Sequence, residues 1–555
     1  MNTSNIKASI AKLQKSVLGD HRIDLEETQV LLDFAKPLAA EHAEMAEFIT
    51  LLDEIREDGI VDEDESERLE IYLNWLVREI DSTKPDTGFL GRLFKLNRNR
   101  TTVKTELVAG LTTFMTMAYI LAVNPNLLSI AGIPRGGVFV ATCLAAFVGT
   151  VLMAAMSNYP FALAPGMGLN AFLTFGVCLG MGYSWQFALL AVFVEGLIFL
   201  ALSLTPVREA IFNCIPFTLK KAVAAGIGLF ICFIALQTSK IIVNNDAVLV
   251  GLVSFKSVAF HTQGICALLA IVGTVLTGVM MTKKVKGAIL YGIFVTWGLG
   301  MIAQATGLYV PDMKDYFSLY PVLTFDGISN SFREFGSTAG AIFDPSAWTH
   351  KDDPNTGWAL VKGLNFFVVM FAFFFVDLFD TLGTLIGVSM KGGFLTKEGK
   401  LPRISGALCA DAIATSIGAV FGTSTTTTYV ESASGVMVGG RTGLTAVTTA
   451  LFFLASIVLA PVFLAVPAFA TAPALIVVGY LMLSSIAEVD FTRPSEAIPA
   501  FLTVAIMPFA YSISDGIMAG VISYTLINLI AGKAKRVHWI MYVLTALFVA
   551  KYALM

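Results

Sequence analysis

The chain has 555 residues, 56% hydrophobic and 14% charged. Soluble domains carry about 25% charged residues, and one soluble core stops growing near roughly 250–300 residues, so a single soluble fold is excluded. Residues 1–90 hold 21 Asp+Glu against 9 Lys+Arg, a balance of −12; with a whole-chain charge of −4, the remainder carries +8. An acidic head therefore precedes a slightly basic, apolar body, and no nucleic-acid partner is expected. The opening residues MNTSNIKASIAKLQKS lack the apolar core of a signal peptide, so the head is expected to stay on the side of synthesis. The six cysteines (Cys143, Cys178, Cys214, Cys232, Cys266 and Cys409) form no CxxC pair and read as small buried hydrophobes, with no disulfide framework or metal site expected.

In chain order, residues 1–90 read as a small soluble helical domain, because LEETQVLLDFAKPLAAEHAEMAEFITLLDEI repeats apolar residues at helical spacing. DHRIDLEE (20–27) is echoed by DGIVDEDE (58–65), each opening a helix with acids near its positive end. The stretch Glu54 to Glu65 has the acids and glycine of a calcium loop, but Arg56 stands at the third ligand position, where a cation repels calcium. The head resembles the small helical tellurite-resistance TerB-type module. Residues 82–100 pass from turn formers to a basic amphipathic stretch, and 91–103 is read as a linker on the anionic inner membrane face.

From 104 onward apolar runs recur at lengths that cross about 30 Å of hydrocarbon. They are read at 104–127, 136–156, 162–180, 185–205, 218–238, 263–281, 286–306, 362–389, 404–421, 429–440, 443–466, 472–488, 498–513 and 515–532, numbered here as spans one to fourteen. With a cytoplasmic N-terminus, the basic short loops fall inside: Arg208, Lys220 and Lys221; Lys283, Lys284 and Lys286; Lys391, Lys397, Lys400 and Arg403; Arg441; Arg493; Lys533, Lys535 and Arg536. The long polar loop 307–361 falls outside. A last apolar stretch, 538–554, is either a further span or an interfacial helix. Seven is odd, so two halves of seven spans have opposite orientations, and KGAILYGIFVTWGLGMI (286–302) echoes DGIMAGVISYTLINLI (515–530). The expected fold is an all-α polytopic membrane protein of about 14 segments, a 7+7 inverted repeat over 104–555, with two short strands in discontinuous spans three and ten.

Those strands come from local chemistry. Span three opens ALAPGMGLNAFLTFG (162–176), where Pro165, Gly166 and Gly168 break a helix start. Span ten opens FGTSTTTTYVESASGV (421–436), with β-branched threonines at 423 and 425–428 that favour extended backbone. Irregular backbone at membrane depth is tolerated only where it is buried in protein or lines a cavity. Span eight carries Asp377 and Asp380 inside FFVVMFAFFFVDLFDTLGTLIGV (366–388). A charge there costs about 2.5–3.5 kcal/mol on insertion scales, so it faces a polar interior. Thr384 stands one turn beyond Asp380, where it can hydrogen-bond it, and Glu431 sits where the second half-helix begins. Asn170 offers donors and acceptors together. Glu195 reads as a structural partner, and Asp411 and Asp515 as span-end acids. Carboxylates accept from N–H groups and can load and release a proton, so a planar, N–H-rich solute carried with a proton fits. Phe172, Phe175 and Phe379 can offer a ring flat contact.

These strings resemble the nucleobase–cation symporter family, specifically its azaguanine-resistance-type purine permeases: TELVAGLTTFMTMAYILAVNPNLL (105–128), APGMGLNAF (164–172), FDTLGTL (379–385) and GTSTTTTYVESASGV (422–436). The resemblance covers about residues 95–555. It implies proton-coupled uptake of adenine, guanine or hypoxanthine by an elevator motion, with spans one, three, eight and ten in a core sliding against a gate. Asp380 and Glu431 then correspond to the substrate-binding acids and Asn170 to the polar residue of span three. Thr384, Phe172 and Thr428 support them, and Asp380, Glu431 or Asp377 carries the proton. No cofactor other than the proton is implied, and a homodimer in the inner membrane is. The uracil and xanthine branches place Glu and His around span eight, where this chain has Asp380, Thr381 and Thr384. The acidic head lies outside the family pattern, leaving regulation or an added partner open.

Other readings remain at this stage: a xanthine or uracil carrier, an anion transporter of the related sulfate-carrier fold, a membrane enzyme, and a sensor whose receptor is the membrane body. Glu431 speaks against the anion carrier, and five scattered histidines speak against the enzyme.

Overall fold

The computed structural model describes residue 23, residues 25–36, 43–56 and part of 61–73, and residues 88–554 apart from 206–215, 246–248, 257, 311–324, 352–356, 397–399 and 490. Arg208, Cys214, Lys397, half of the first acidic echo and most of the second, with the middle of the 54–65 turn, lie outside these.

Among the described residues, eleven helices are long and apolar enough to cross a bilayer. They are Val103–Ser129, Arg135–Ser157, Trp185–Ser203, Thr218–Thr238, Gly264–Thr282, Ala288–Ala305, Asn365–Gly392, Ile404–Phe421, Gly443–Phe463, Ala468–Ala487 and Ile513–Ile530. The remaining three of the fourteen positions hold shorter elements. Span three is the apolar helix Met167–Gly180, span thirteen is Pro494–Phe509, and span ten is a strand followed by the helix Ser432–Val438. The C-terminal helix Trp539–Leu554 packs Phe548 against Phe371 and Phe375 of span eight.

Four strands occur among the described residues: β1 (Leu163–Pro165), β2 (Ile242–Asn245), β3 (Leu249–Leu252) and β4 (Thr426–Thr428). β2 and β3 form a hairpin between spans five and six that the hydropathy pattern did not announce. β1 and β4 are the two expected strands, and they pair with each other. The ladder is antiparallel, Leu163 opposite Thr428 and Pro165 opposite Thr426, and it is extended by Gly166 N–H to Thr425 O (2.9 Å) and Tyr429 N–H to Ala162 O (3.0 Å). Each half thus meets the other's exposed backbone, which lipid cannot satisfy. Beyond β1, span three winds through Met167–Ala171 and then widens into π-helical turns from Phe172 to Gly180, a geometry enriched at functional sites.

Two further features join the halves. Spans five and twelve cross at glycines: a Cβ on Gly479 would sit 2.5 Å from the Gly228 carbonyl oxygen, so only glycine permits this approach. Glu106, fully buried near the start of span one, accepts from the backbone N–H groups of Arg441 (2.8 Å), Thr442 (3.2 Å) and Thr445 (3.1 Å). It also accepts from the hydroxyls of Thr442 (2.8 Å) and Thr445 (2.7 Å). It thereby caps the helix Gly443–Ala455, whose first N–H groups have no partner within the helix. At the start of span two, Glu334 Oε2 from the loop helix Phe325–Thr338 accepts from Gly136 N–H (2.7 Å) and Gly137 N–H (3.3 Å).

The head helices Leu25–Ala35 and Ala43–Ile55 share a small apolar cluster that includes Leu31, Phe48, Leu52 and Tyr72. The linker helix Gly88–Phe94 is anchored by Phe94 and Leu96 against Leu444, and Asn158 donates to the Phe94 carbonyl at 2.9 Å. Its other face exposes Phe89 and Leu93, 79% and 57% accessible, beside exposed Arg92, Lys95 and Arg98. That is the composition of an interfacial helix. A tryptophan at position 89 (Phe89→Trp) is accordingly expected to be quenched by brominated lipids in reconstituted protein; fluorescence indifferent to them would remove this helix from the bilayer.

Candidate functional site

Asp380 lies in the helix Leu364–Gly392, half-buried. One and two turns further, Gly383 and Gly387 have nothing within 4 Å of where a Cβ would stand, so this face of span eight borders open space. On its other side the carboxylate reaches the end of β1, with Asp380 Oδ2 3.5 Å from where a Cβ on Gly166 would lie. The same Cβ would stand 2.7 Å from Thr427 Cγ2, which explains a glycine at this junction. Asp380 makes no hydrogen bond with any other described residue. Its helix packs directly against β4 and against the helix Ser432–Val438, which Glu431 opens.

Glu431 occupies the N-cap position of Ser432–Val438, directly after the β4 segment, and is half-buried. Tyr119 of span one donates its hydroxyl to Glu431 Oε1 at 2.9 Å. Thr116, one turn earlier, pairs with the Ser434 hydroxyl at 2.9 Å. Tyr429 donates to the Pro165 carbonyl, fastening β4 to the end of β1. Asp380 and Glu431 are therefore brought to one junction.

The other expected site residues lie around that junction in different roles. Asn170 is fully buried, and its amide donates to Asn124 Oδ1 at 2.7 Å. Asn124 in turn donates to Thr142 (2.8 Å) and Thr423 (3.0 Å), tying spans one, two and three to the start of the span-ten strand. Asn170 Oδ1 has no hydrogen-bond partner among the described residues and keeps an acceptor to offer. Asp377 is buried and accepts from Thr381 at 3.1 Å. The same Thr381 hydroxyl stands 2.9 Å from Asp411 Oδ2 and 2.8 Å from Thr427 Oγ1. Thr384 is buried, but no hydrogen bond joins it to Asp380 among the described residues. Thr428 turns to span nine, where its N–H and hydroxyl meet Asp411 Oδ1 at 3.1 and 3.3 Å. Phe172 is fully buried and packs edge-on against Phe373 with ring centroids 4.8 Å apart. Phe175 packs edge-on against Tyr511 at 5.6 Å. The side chain of Phe379 lies outside the described residues.

Three contributors were not anticipated. Asp411 is eight residues into an eighteen-residue helix and fully buried, so it is a mid-helix acid that holds β4 and not a span-end one. Its position inside ALCADAIATS was a readable signal. Tyr119 and Asn124 carried none, since a tyrosine or asparagine in an apolar run has many ordinary places to point.

The arrangement presents two carboxylates of the second half, one steadied by an aromatic hydroxyl from the first, at a seam of irregular backbone with open space beside it. Such a site accepts N–H donors from a small solute. The solved structure of SLC26A9 is similar in fold, with a TM-score of 0.50 at 11% identity over 78% of this chain and 67% of that one. A guanine/hypoxanthine permease of Bacillus subtilis is 42% identical over 465 residues, covering 82% of this chain and 98% of its own. An adenine permease of Escherichia coli is 39% identical over 464 residues, covering 84% and 96%. The model of the permease family Xan_ur_permease matches residues 104–519, which takes in every span but the last and the whole junction of β1, β4, Asp380 and Glu431. The chain belongs to that permease family.

Proposed function

We propose that this protein imports a purine nucleobase together with a proton. The observation that carries the reading is the meeting of Asp380 and Glu431 at the β1–β4 junction, beside the open face at Gly383 and Gly387. A flat base with N–H groups on two edges donates to both carboxylates at once, and such charge-assisted bonds are roughly twice as strong as neutral ones. The bacterial relatives, a guanine/hypoxanthine permease and an adenine permease, support a purine. Loading a proton on one carboxylate neutralises part of the site and links its charge to the pH gradient. In the elevator motion, spans one, three, eight and ten travel as one body because the strand ladder, the Tyr119–Glu431 bond and the Asn170–Asn124 bond tie them together. The gate is built around spans five and twelve. The assembly is a homodimer in the inner membrane with a cytoplasmic N-terminus, and the acidic head over residues 1–90 is a partner-binding or regulatory module joined through 91–103.

A carrier of another nucleobase is the second reading, and the test separates them. Radiolabelled adenine, guanine, hypoxanthine, xanthine and uracil are offered at two external pH values to cells lacking their own carriers. Uptake of at least one of the first three is expected, faster at the lower pH and unchanged by deleting residues 1–90. Uptake confined to xanthine or uracil would displace the purine, and uptake indifferent to pH and to protonophore would remove the proton.

A further inference from the structure

Span one tightens midway, which its even apolar pattern did not reveal. The helix Val103–Met117 ends, Ala118 and Tyr119 form a turn, and Ile120–Ser129 resumes. The N–H groups of Leu121 and Ala122 reach back only three residues, to Ala118 O (3.2 Å) and Tyr119 O (3.1 Å). Pro125 then offers the carbonyl of Leu121 no N–H, which keeps the following turn loose. At this turn Tyr119, 1% exposed, meets Glu431.

Two observations separate Tyr119 from an ordinary packing tyrosine. Its partner is one of the two site carboxylates, reached across 312 residues of sequence. Its place in the repeat is also special. Tyr119 stands sixteen residues beyond Val103, and Asp380 stands sixteen residues beyond Leu364, the first residues of the helices Val103–Met117 and Leu364–Gly392. In a seven-plus-seven repeat these spans are equivalents. The first half therefore sends a phenol to the junction from the position where the second half sends a carboxylate.

We infer that Tyr119 sets solute affinity, as the positioning residue of Glu431; this rests on the purine reading above. A carboxylate has two oxygens and about four lone-pair sites. The phenol occupies Oε1, fixes the plane of the carboxylate and leaves Oε2 to receive a solute N–H. The other titratable groups facing this spot are Asp380 and Tyr429. Tyr429 cannot substitute, because its hydroxyl is committed to Pro165 O. Asp380 is an acceptor and repels Glu431. Thr116 and Ser434 hold each other and the helix start, not the carboxylate.

The test uses purified full-length protein in nanodiscs and equilibrium binding of radiolabelled guanine, hypoxanthine and adenine. Tyr119→Phe is expected to raise Kd about tenfold for whichever purine the wild type binds, the usual loss for a hydrogen bond to a charged group. KM for uptake rises alike, Vmax stays within about twofold, and the unfolding temperature of ligand-free protein is unchanged. Tyr159→Phe, which removes an equally buried phenol that donates to Pro402 O, leaves Kd unaltered. In a Glu431→Asp background, where the carboxylate is drawn back from the phenol, Tyr119→Phe costs nothing further. An unchanged Kd in Tyr119→Phe overturns the inference. So does a fall in Vmax and unfolding temperature with Kd retained, and so does a full tenfold loss in the Glu431→Asp background. A wild type that binds none of the three purines overturns the transport reading itself, which distinguishes the two failures.

Discussion

Asp380→Asn is expected to lower purine uptake by roughly a hundredfold or more while the protein still folds and reaches the membrane. Exchanging a desolvated carboxylate for an amide removes the charge-assisted part of its bonds and turns N–H donors toward solute N–H groups. Losses at such sites run to about 2–5 kcal/mol, and about 1.4 kcal/mol is a factor of ten. The fold should survive because Asp380 makes no hydrogen bond to another described residue and its helix face borders open space at Gly383 and Gly387. The measurement is initial-rate uptake normalised to folded protein, with fluorescence-detected size exclusion as the folding control. Uptake within about threefold of wild type would dismiss Asp380 from the site, and aggregation would make it a structural acid.

Glu106→Ala should act on stability and not on specificity. The variant leaves three backbone N–H groups and two hydroxyls without their acceptor inside a fully buried junction. Unsatisfied buried donors cost about 1–3 kcal/mol each. An unfolding temperature lower by about ten degrees, or failure to recover monodisperse protein, is expected. Glu106→Gln, which keeps one acceptor oxygen, should fall between. A melting temperature unchanged in Glu106→Ala would show that water or backbone adjustment replaces the carboxylate.

The two acids expected in the site were legible because a carboxylate inside an apolar run has few places to go. The strands were legible too: Pro165 with two nearby glycines, and the threonines before Tyr429, refuse helix by their own sterics. Side-chain direction within a helix was not legible. Asp377 and Asp380 are three residues apart, yet one is sealed against Thr381 and the other stands at the open face. Thr384, four residues from Asp380, does not bond it, and Thr428 faces Asp411 instead of the solute space. The role of Glu106 left no sign in the sequence, since its partners lie more than 330 residues away and capping across that distance leaves no local pattern. The tightened turn in span one escaped for a related reason. Hydropathy averages over a turn, and only the contact with Glu431 shows why the turn is there.

The pairing of β1 with β4 also dictates a timetable for biogenesis. Leu163 and its partner Thr428 are separated by most of the membrane domain. At about 5–20 residues per second of synthesis, β1 waits on the order of 10–50 seconds before its complement has been made. During that interval its backbone groups lie at membrane depth with no ladder, a situation hydrocarbon does not tolerate. The first seven spans must therefore leave the ribosome as a wet or chaperoned intermediate, with water or the insertion machinery standing in for β4. Final burial of the strand is the step at which the nascent chain closes. Expressed separately, each half would be left holding an open edge that only the other can cover.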